Sequence, residues 1–204
     1  MDLPGHPTGL GRNTISGYAE FVVKTIMERK LKPAILVGHS MGGAIAIEIA
    51  LGQPQLIGGI ALVGSGARLP VTPVIKDGVI RNYARAAEVI AEWAYSPKTD
   101  PKLKRSSVQE LLEVPASVTY GDFEACDRFD RMNEIERIHL PTLIVCGEDD
   151  RLTPVKYSQY IKEKIRNARL VIIPDAGHSV MLEKPEELNT ALQAFISDLR
   201  FSKV

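Results

Sequence analysis

The sequence predicts an α/β fold, a parallel sheet with helices on both faces. Three observations predict it. Short apolar runs at 34–37, 57–63, 142–146 and 170–173 have the length and composition of buried strands. Segments of helical periodicity alternate with them, as a parallel sheet requires. The first run ends in a glycine-rich turn, Gly38-His39-Ser40-Met41-Gly42-Gly43, that opens directly into an Ala/Ile-rich helical segment.

Along the chain, residues 13–30 place Tyr18, Phe21, Val22, Thr25, Ile26 and Arg29 at helical spacing. After strand 34–37 and the turn, a helix is expected to about residue 51, where Gln53-Pro54 breaks it. Strand 57–63 ends at Gly64-Ser65-Gly66. Residues 72–139 then interrupt the alternation with three expected helices, over 74–95, 101–113 and 122–135. Strand 142–146 follows. Thr153-Pro154 is expected to start a helix with proline in its first position, running to about residue 165. After strand 170–173 and Pro185, residues Leu188, Ala191, Leu192, Phe195, Ile196 and Leu199 form one apolar stripe. The domain division expected is a core of 1–71 and 140–204, with 72–139 as an inserted helical unit. Trp93, Tyr95, Tyr120 and Phe123 in that unit read as packing between its helices rather than as a pocket.

With 204 residues the chain can bury one sizeable core. Its 25 basic and 25 acidic residues cancel, and no basic run with interleaved aromatics suggests nucleic-acid binding. No apolar run reaches membrane-spanning length, and no secretory leader is visible. Two cysteines, Cys126 and Cys146, make a disulfide framework unexpected and fit a cytoplasmic location. The scattered histidines and the lack of a Cys/His cluster give no metal-ligand spacing, so no metal site is expected.

The chemistry concentrates at Ser40. A Gly-x-Ser-x-Gly pattern between strand and helix is a nucleophile elbow, with glycines 38 and 42 expected to remove Cβ atoms that would collide. A serine needs a base. Of four histidines, His6, His39, His139 and His178, the last follows strand 170–173 on a loop at the same sheet edge as Ser40. His39 is expected to point away from the serine hydroxyl, and His139 reads as structural. Glu148, Asp149 and Asp150 follow strand 142–146 at that edge, with Asp150 and Asp149 the candidates for the acid. Glu148 and Asp175 read as loop solvation, and Asp127, Arg128, Asp130 and Arg131 as a solvated helix face.

These motifs resemble the α/β-hydrolase fold superfamily, of the capped esterase, lactonase and C–C hydrolase type. The resemblance rests on Gly38-His39-Ser40-Met41-Gly42-Gly43, on Gly147-Glu148-Asp149-Asp150-Arg151-Leu152-Thr153-Pro154, and on Asp175-Ala176-Gly177-His178 leading through Glu183-Lys184-Pro185 to the last helix. It selects Asp150 over Asp149 and implies a Ser40, Asp150, His178 triad, with the Met41 N–H in the oxyanion hole. It implies cleavage of a small-molecule carboxylic ester without a cofactor; lactone opening and C–C hydrolysis share the same triad. Residues 72–139 correspond to a cap over the site. Asp2-Leu3-Pro4-Gly5-His6 resembles the stretch that follows the family's fourth strand, with Pro7-Thr8 departing from the pattern. The first three strands, nearly all of the fourth, and the loop carrying the second oxyanion donor are therefore expected to be absent. That would bare the edge of strand 34–37, so a homodimer or edge-paired assembly is expected. The alternative reading is a weakly active or non-catalytic protein that acts by binding or assembly.

Overall fold

A computed structural model describes residues 1–6 and 9–199; Pro7 and Thr8 lie outside the described residues. Helix α1 (Ile15–Glu28) starts at Thr14, whose side chain accepts from the Gly17 N–H. It leads to strand β1 (Ala34–His39), helix α2 (Met41–Gly52) and strand β2 (Ile57–Val63). Helices α3 (Pro73–Arg81), α4 (Tyr83–Ala94), α5 (Pro101–Glu113) and α6 (Ala116–Arg128) come next. Strand β3 (Thr142–Gly147), helix α7 (Val155–Lys164), strand β4 (Ala168–Ile173) and helices α8 (Val180–Glu183) and α9 (Pro185–Asp198) complete the described order.

The four strands pair in parallel in the order β1-β2-β3-β4. Side chains alternate between faces with period two. Leu36, Ile60, Leu62, Ile144 and Leu170 face α1, α2 and α7, where Tyr18, Ile26, Ile47 and Ile161 complete one core layer. Ile35, Ala61, Val63, Leu143, Val145 and Ile173 face the other way, against Leu188, Ala191 and Phe195 of α9. Both sheet faces are thus covered by helices. The outer edge of β1 has no strand partner among the described residues, and Val37 on it is 54 % exposed.

Several local expectations need correction. The insertion between β2 and β3 carries four helices. The first expected segment breaks at Asn82, whose side chain caps α4 by accepting from the Arg85 N–H. The last begins at Ala116 rather than 122 and ends at Arg128, because the chain then turns to pair Arg68 with Asp130 in an isolated bridge. Pro154 precedes α7 as its cap instead of occupying its first position. The charges of 127–131 are not simply solvated. Asp127 accepts from the Val71 N–H and Lys76, and Arg131 grips the Glu48 carboxylate on α2 with two bonds of 2.9 Å.

The β1-to-α2 junction is closely packed. A Cβ on Gly38 would overlap the Gly42 carbonyl and sit 2.6 Å from the Gly43 nitrogen. On Gly43, in the same junction, a Cβ would overlap the Ser65 side chain. Gly42 faces open space, contrary to expectation. Gly38→Ala is therefore expected to lower the unfolding free energy by about 1–3 kcal/mol, because backbone must move. Gly42→Ala should shift it by less than about 1 kcal/mol, toward greater stability, since alanine favours the helix. Urea unfolding of both variants checks this, and equal losses would contradict it.

Candidate active site

Ser40, between β1 and α2, has φ 51° and ψ −116°, a left-handed φ that a non-glycine residue adopts at a cost of about 1–3 kcal/mol. Neighbours hold it there. Its N–H donates to the Val63 carbonyl at 2.9 Å, and its carbonyl accepts from the Ser65 hydroxyl at 2.8 Å and the Gly43 N–H at 2.9 Å. Buried Ser65 was legible in the sequence only as part of a strand-ending turn; its hydrogen bond to Ser40 depends on β2 lying beside β1. The N–H groups of Met41 and Gly42, in the first turn of α2, have no partner among the described residues. They give the junction a local positive potential.

Asp150 and His178 lie on the loops after β3 and β4. His178 Nδ1 donates to Asp150 Oδ2 at 2.8 Å, and both side chains are buried. Thr153 completes the acid's shell. Its hydroxyl donates to the same oxygen at 2.7 Å and lies 3.1 Å from His178 Nδ1, while the N–H groups of Leu152 and Thr153 reach Oδ1 at 2.9 and 2.7 Å. Burial pushes the Asp150 carboxyl up, but the bonds from His178 and Thr153 outweigh it and hold the group below its ordinary value. With Nδ1 committed, Nε2 is the ring nitrogen left to accept a proton. Gly64, at φ 52°, clears the pair: a Cβ there would stand 3.1 Å from His178 Nδ1 and 3.3 Å from Asp150 Oδ2. Asp149 turns elsewhere and accepts from the Ser96 hydroxyl at 2.5 Å.

The remaining histidines differ in role. His39 packs its ring 4.5 Å from that of His178, and its Nε2–H donates to the His178 carbonyl at 3.0 Å. Burial, then the neighbouring His178, push its pKa down to about 3. A neutral His39 leaves the adjacent His178 ring free of a second cation. His6 bonds to Asp122 of α6 at 2.9 Å, and His139 contributes a carbonyl to Asn167. Asp175 pairs with Lys98 at 2.5 Å rather than only meeting solvent.

Glu183 was not singled out by sequence reasoning beyond its place in the histidine loop. Its carboxylate accepts from the Gly177 N–H at 2.7 Å, the Ser96 N–H at 2.8 Å and the Thr99 hydroxyl at 2.5 Å. One oxygen holds the residue before His178 and the other holds the segment after α4. The histidine loop is thus tied to the inserted helices, and the Ser179 N–H adds a bond to the Ala94 carbonyl.

Ser40 and His178 line one cavity of about 230 Å³, walled by Ala91, Tyr95, Leu111 and Phe123. They share it without a hydrogen bond between them, a separation common before substrate binds. Ser40 also lines a smaller space of about 90 Å³, with Trp93, Phe123 and Arg151. Trp93, Tyr95 and Phe123 therefore wall cavities, against the expectation of plain core packing, because α4 and α6 lay one face over the sheet edge. Tyr120 lines neither. No three His, Cys, Asp or Glu among the described residues form a group able to hold a metal ion.

Two outcomes follow from this geometry. An unfolded histidine titrates near 6.5 and folded His39 well below, so between the two values the unfolded state carries the extra proton. Stability is then full above pH 6.5 and falls on acidification, by up to about 1.4 kcal/mol per pH unit from this group. Unfolding free energies of wild type and His39→Asn from pH 7.5 to 4.5 should converge as pH falls; parallel curves would contradict the assignment. Glu183→Ala should cost about 1–3 kcal/mol of stability through three orphaned donors, and Glu183→Gln less. Thermal unfolding reads both, and an unaffected Glu183→Ala would contradict the clamp.

Comparison with known proteins agrees with this architecture. Residues 1–191 match the model of the alpha/beta hydrolase family. A putative carbamate hydrolase, RutD, from Pseudomonas syringae pv. syringae (strain B728a) is 27 % identical over 172 residues, which span 79 % of this chain and 66 % of the relative, so the match covers just under two thirds of that protein's length. The solved structure of a thermophilic esterase superposes with a TM-score of 0.90 at 34 % identity, covering 97 % of this chain and 79 % of the other. Est816, described as an N-acyl homoserine lactone degrading enzyme, superposes at 0.84 with 29 % identity, covering 95 % and 80 %. On a match that runs through nearly all of its length, the chain belongs to the alpha/beta hydrolase family.

Proposed function

We propose that this chain is a serine hydrolase that cleaves small carboxylic esters through an acyl-enzyme on Ser40. The observation that carries the reading is the Asp150–His178 bond, which commits Nδ1 and leaves Nε2 to serve the cavity that Ser40 also lines. Ser40 attacks the ester carbonyl while His178 takes its proton. Asp150 orients the ring and stabilises the imidazolium. The Met41 N–H receives the oxyanion, where the first turn of α2 favours negative charge. His178 then returns the proton to the leaving alcohol, and water releases the acid with His178 as base again. Residues 72–139 act as a cap on a core of 1–71 and 140–204, walling the cavity above Ser40 and excluding water.

The likeness to a 34 % identical esterase supports ester cleavage. The likeness to Est816 supports a second reading, lactone opening, which needs the same triad and differs in that the leaving alcohol stays attached. A fluorophosphonate probe should label wild type on Ser40, with labelling lost in Ser40→Ala. On p-nitrophenyl acetate, Ser40→Ala and His178→Ala should lower kcat by about 10⁴-fold or more, and Asp150→Asn by about 10⁴-fold. A folded wild type that takes up no probe, or labelling that survives Ser40→Ala, would refute the proposal.

A further inference from the structure

Two spaces meet at Ser40, both walled mainly by apolar side chains. The larger is lined by the aliphatic and aromatic side chains of Ala91, Tyr95, Leu111 and Phe123. The smaller, about 90 Å³, has room for roughly three water molecules, or a short polar group of similar bulk. Arg151 is the one charged residue in its lining. Its guanidinium lies 5.7 Å from the centre of the Trp93 ring, which it faces. A guanidinium at that distance is attracted to the ring face while its N–H donors stay free. Arg151 is exposed at the rim of the space and makes no ion pair or hydrogen bond among the described residues; its neighbour Asp150 spends both oxygens on Thr153, Leu152 and His178.

No acidic side chain lines the small space, and most of its other walls are apolar, Leu69, Val71, Ile75 and Phe123 among them, so Arg151 is the group that offsets the desolvation of an anion there. Burial pushes the Cys126 thiol up to about 12, so it contributes no charge. Asp127, next to it in sequence, is paired with Lys76 outside the lining. Thr72 adds a hydroxyl that makes no capping bond to α3.

The geometry points to a substrate with two unlike arms, an apolar one in the larger cavity and a short one ending in a carboxylate held by Arg151. Resting on the ester-hydrolase reading, this makes the substrate class monoesters in which one side of the ester carries an acid group. That acid can sit on the acyl side or on the alcohol side, and both present the same anion to Arg151.

Two matched pairs separate the sources and isolate the charge. Monobenzyl succinate against benzyl succinamate tests an acid on the acyl arm. O-hexanoylglycolate against O-hexanoylglycolamide tests one on the alcohol arm. In at least one pair the carboxylate should be favoured in kcat/KM by about tenfold over the carboxamide, the scale of a hydrogen bond to a charged group. Arg151→Gln should bring that ratio near one, and Arg151→Lys should retain part of it. Ratios near one in both pairs for wild type, or a ratio unmoved by Arg151→Gln, would overturn the inference.

Binding can be read apart from turnover. Trp93 is the sole tryptophan and lies against Arg151, so its fluorescence reports the small space. In Ser40→Ala protein, titration with the same four compounds should favour a carboxylate by a similar factor, and adding Arg151→Gln should remove the preference. Preferential binding without any wild-type hydrolysis would refute the reading of Ser40 while keeping Arg151 as an anion site. Hydrolysis without charge preference would do the reverse.

Discussion

The fold turns on the crossing of β1 into α2. β1 ends at His39 and α2 begins at Met41, and the backbone of Ser40 absorbs the turn between them at φ 51°. The conformation persists because it is over-determined. β2 fixes the Ser40 N–H through Val63, Ser65 fixes its carbonyl, and Gly38 lets α2 approach without a side chain in the way. Lifting the hydroxyl clear of the sheet and freeing the first amides of α2 are consequences of the same turn. The strain is local, and the sheet and the α1, α2, α7 layer that stabilise it are extensive.

Around that point the other groups are placed by parallel-sheet geometry. Strands β3 and β4 run the same way as β1, so their following loops arrive at the same rim and bring Asp150 and His178 with them. What sequence spacing leaves loose, short-range contacts tighten. Thr153 orders the Asp150 carboxylate, His39 braces the His178 ring and carbonyl, and Glu183 ties the histidine loop to the segment after α4. The last contact couples the inserted helices to the rim, so movement of those helices would reach His178 through Gly177.

The parts legible in the sequence were those with a strong periodic or punctuation signal. Apolar runs closed by glycine or proline marked all four strands, and the Ser40 turn announced itself through its glycines. The choice of Asp150 over Asp149 came from the resemblance, and the geometry separates the two by partner: His178 for one, Ser96 for the other. Less legible were features that depend on what lies across space. Gly42 looked crowded by pattern and is open, while Gly43 meets Ser65 from a strand away. Asn82 divides an uninterrupted helical pattern because its side chain caps the next helix. Trp93 and Phe123 read as core since an apolar helical face carries no mark of whether it meets another helix or a cavity. Glu183 carried no signal beyond its place in the histidine loop, because its three donors are the Ser96 and Gly177 N–H groups and the Thr99 hydroxyl, 87, 6 and 84 positions away.

In the proposed function the Ser40 hydroxyl, activated by His178 whose ring Asp150 orients, forms a covalent acyl intermediate. Rapid-mixing of wild type with a p-nitrophenyl ester, quenched in acid and followed by peptide mass mapping, tests it most directly. The account predicts a burst of nitrophenol approaching one per chain, with the acyl mass on the peptide that contains Ser40. Steady turnover with no acylated peptide, or the acyl group on another residue, would contradict it.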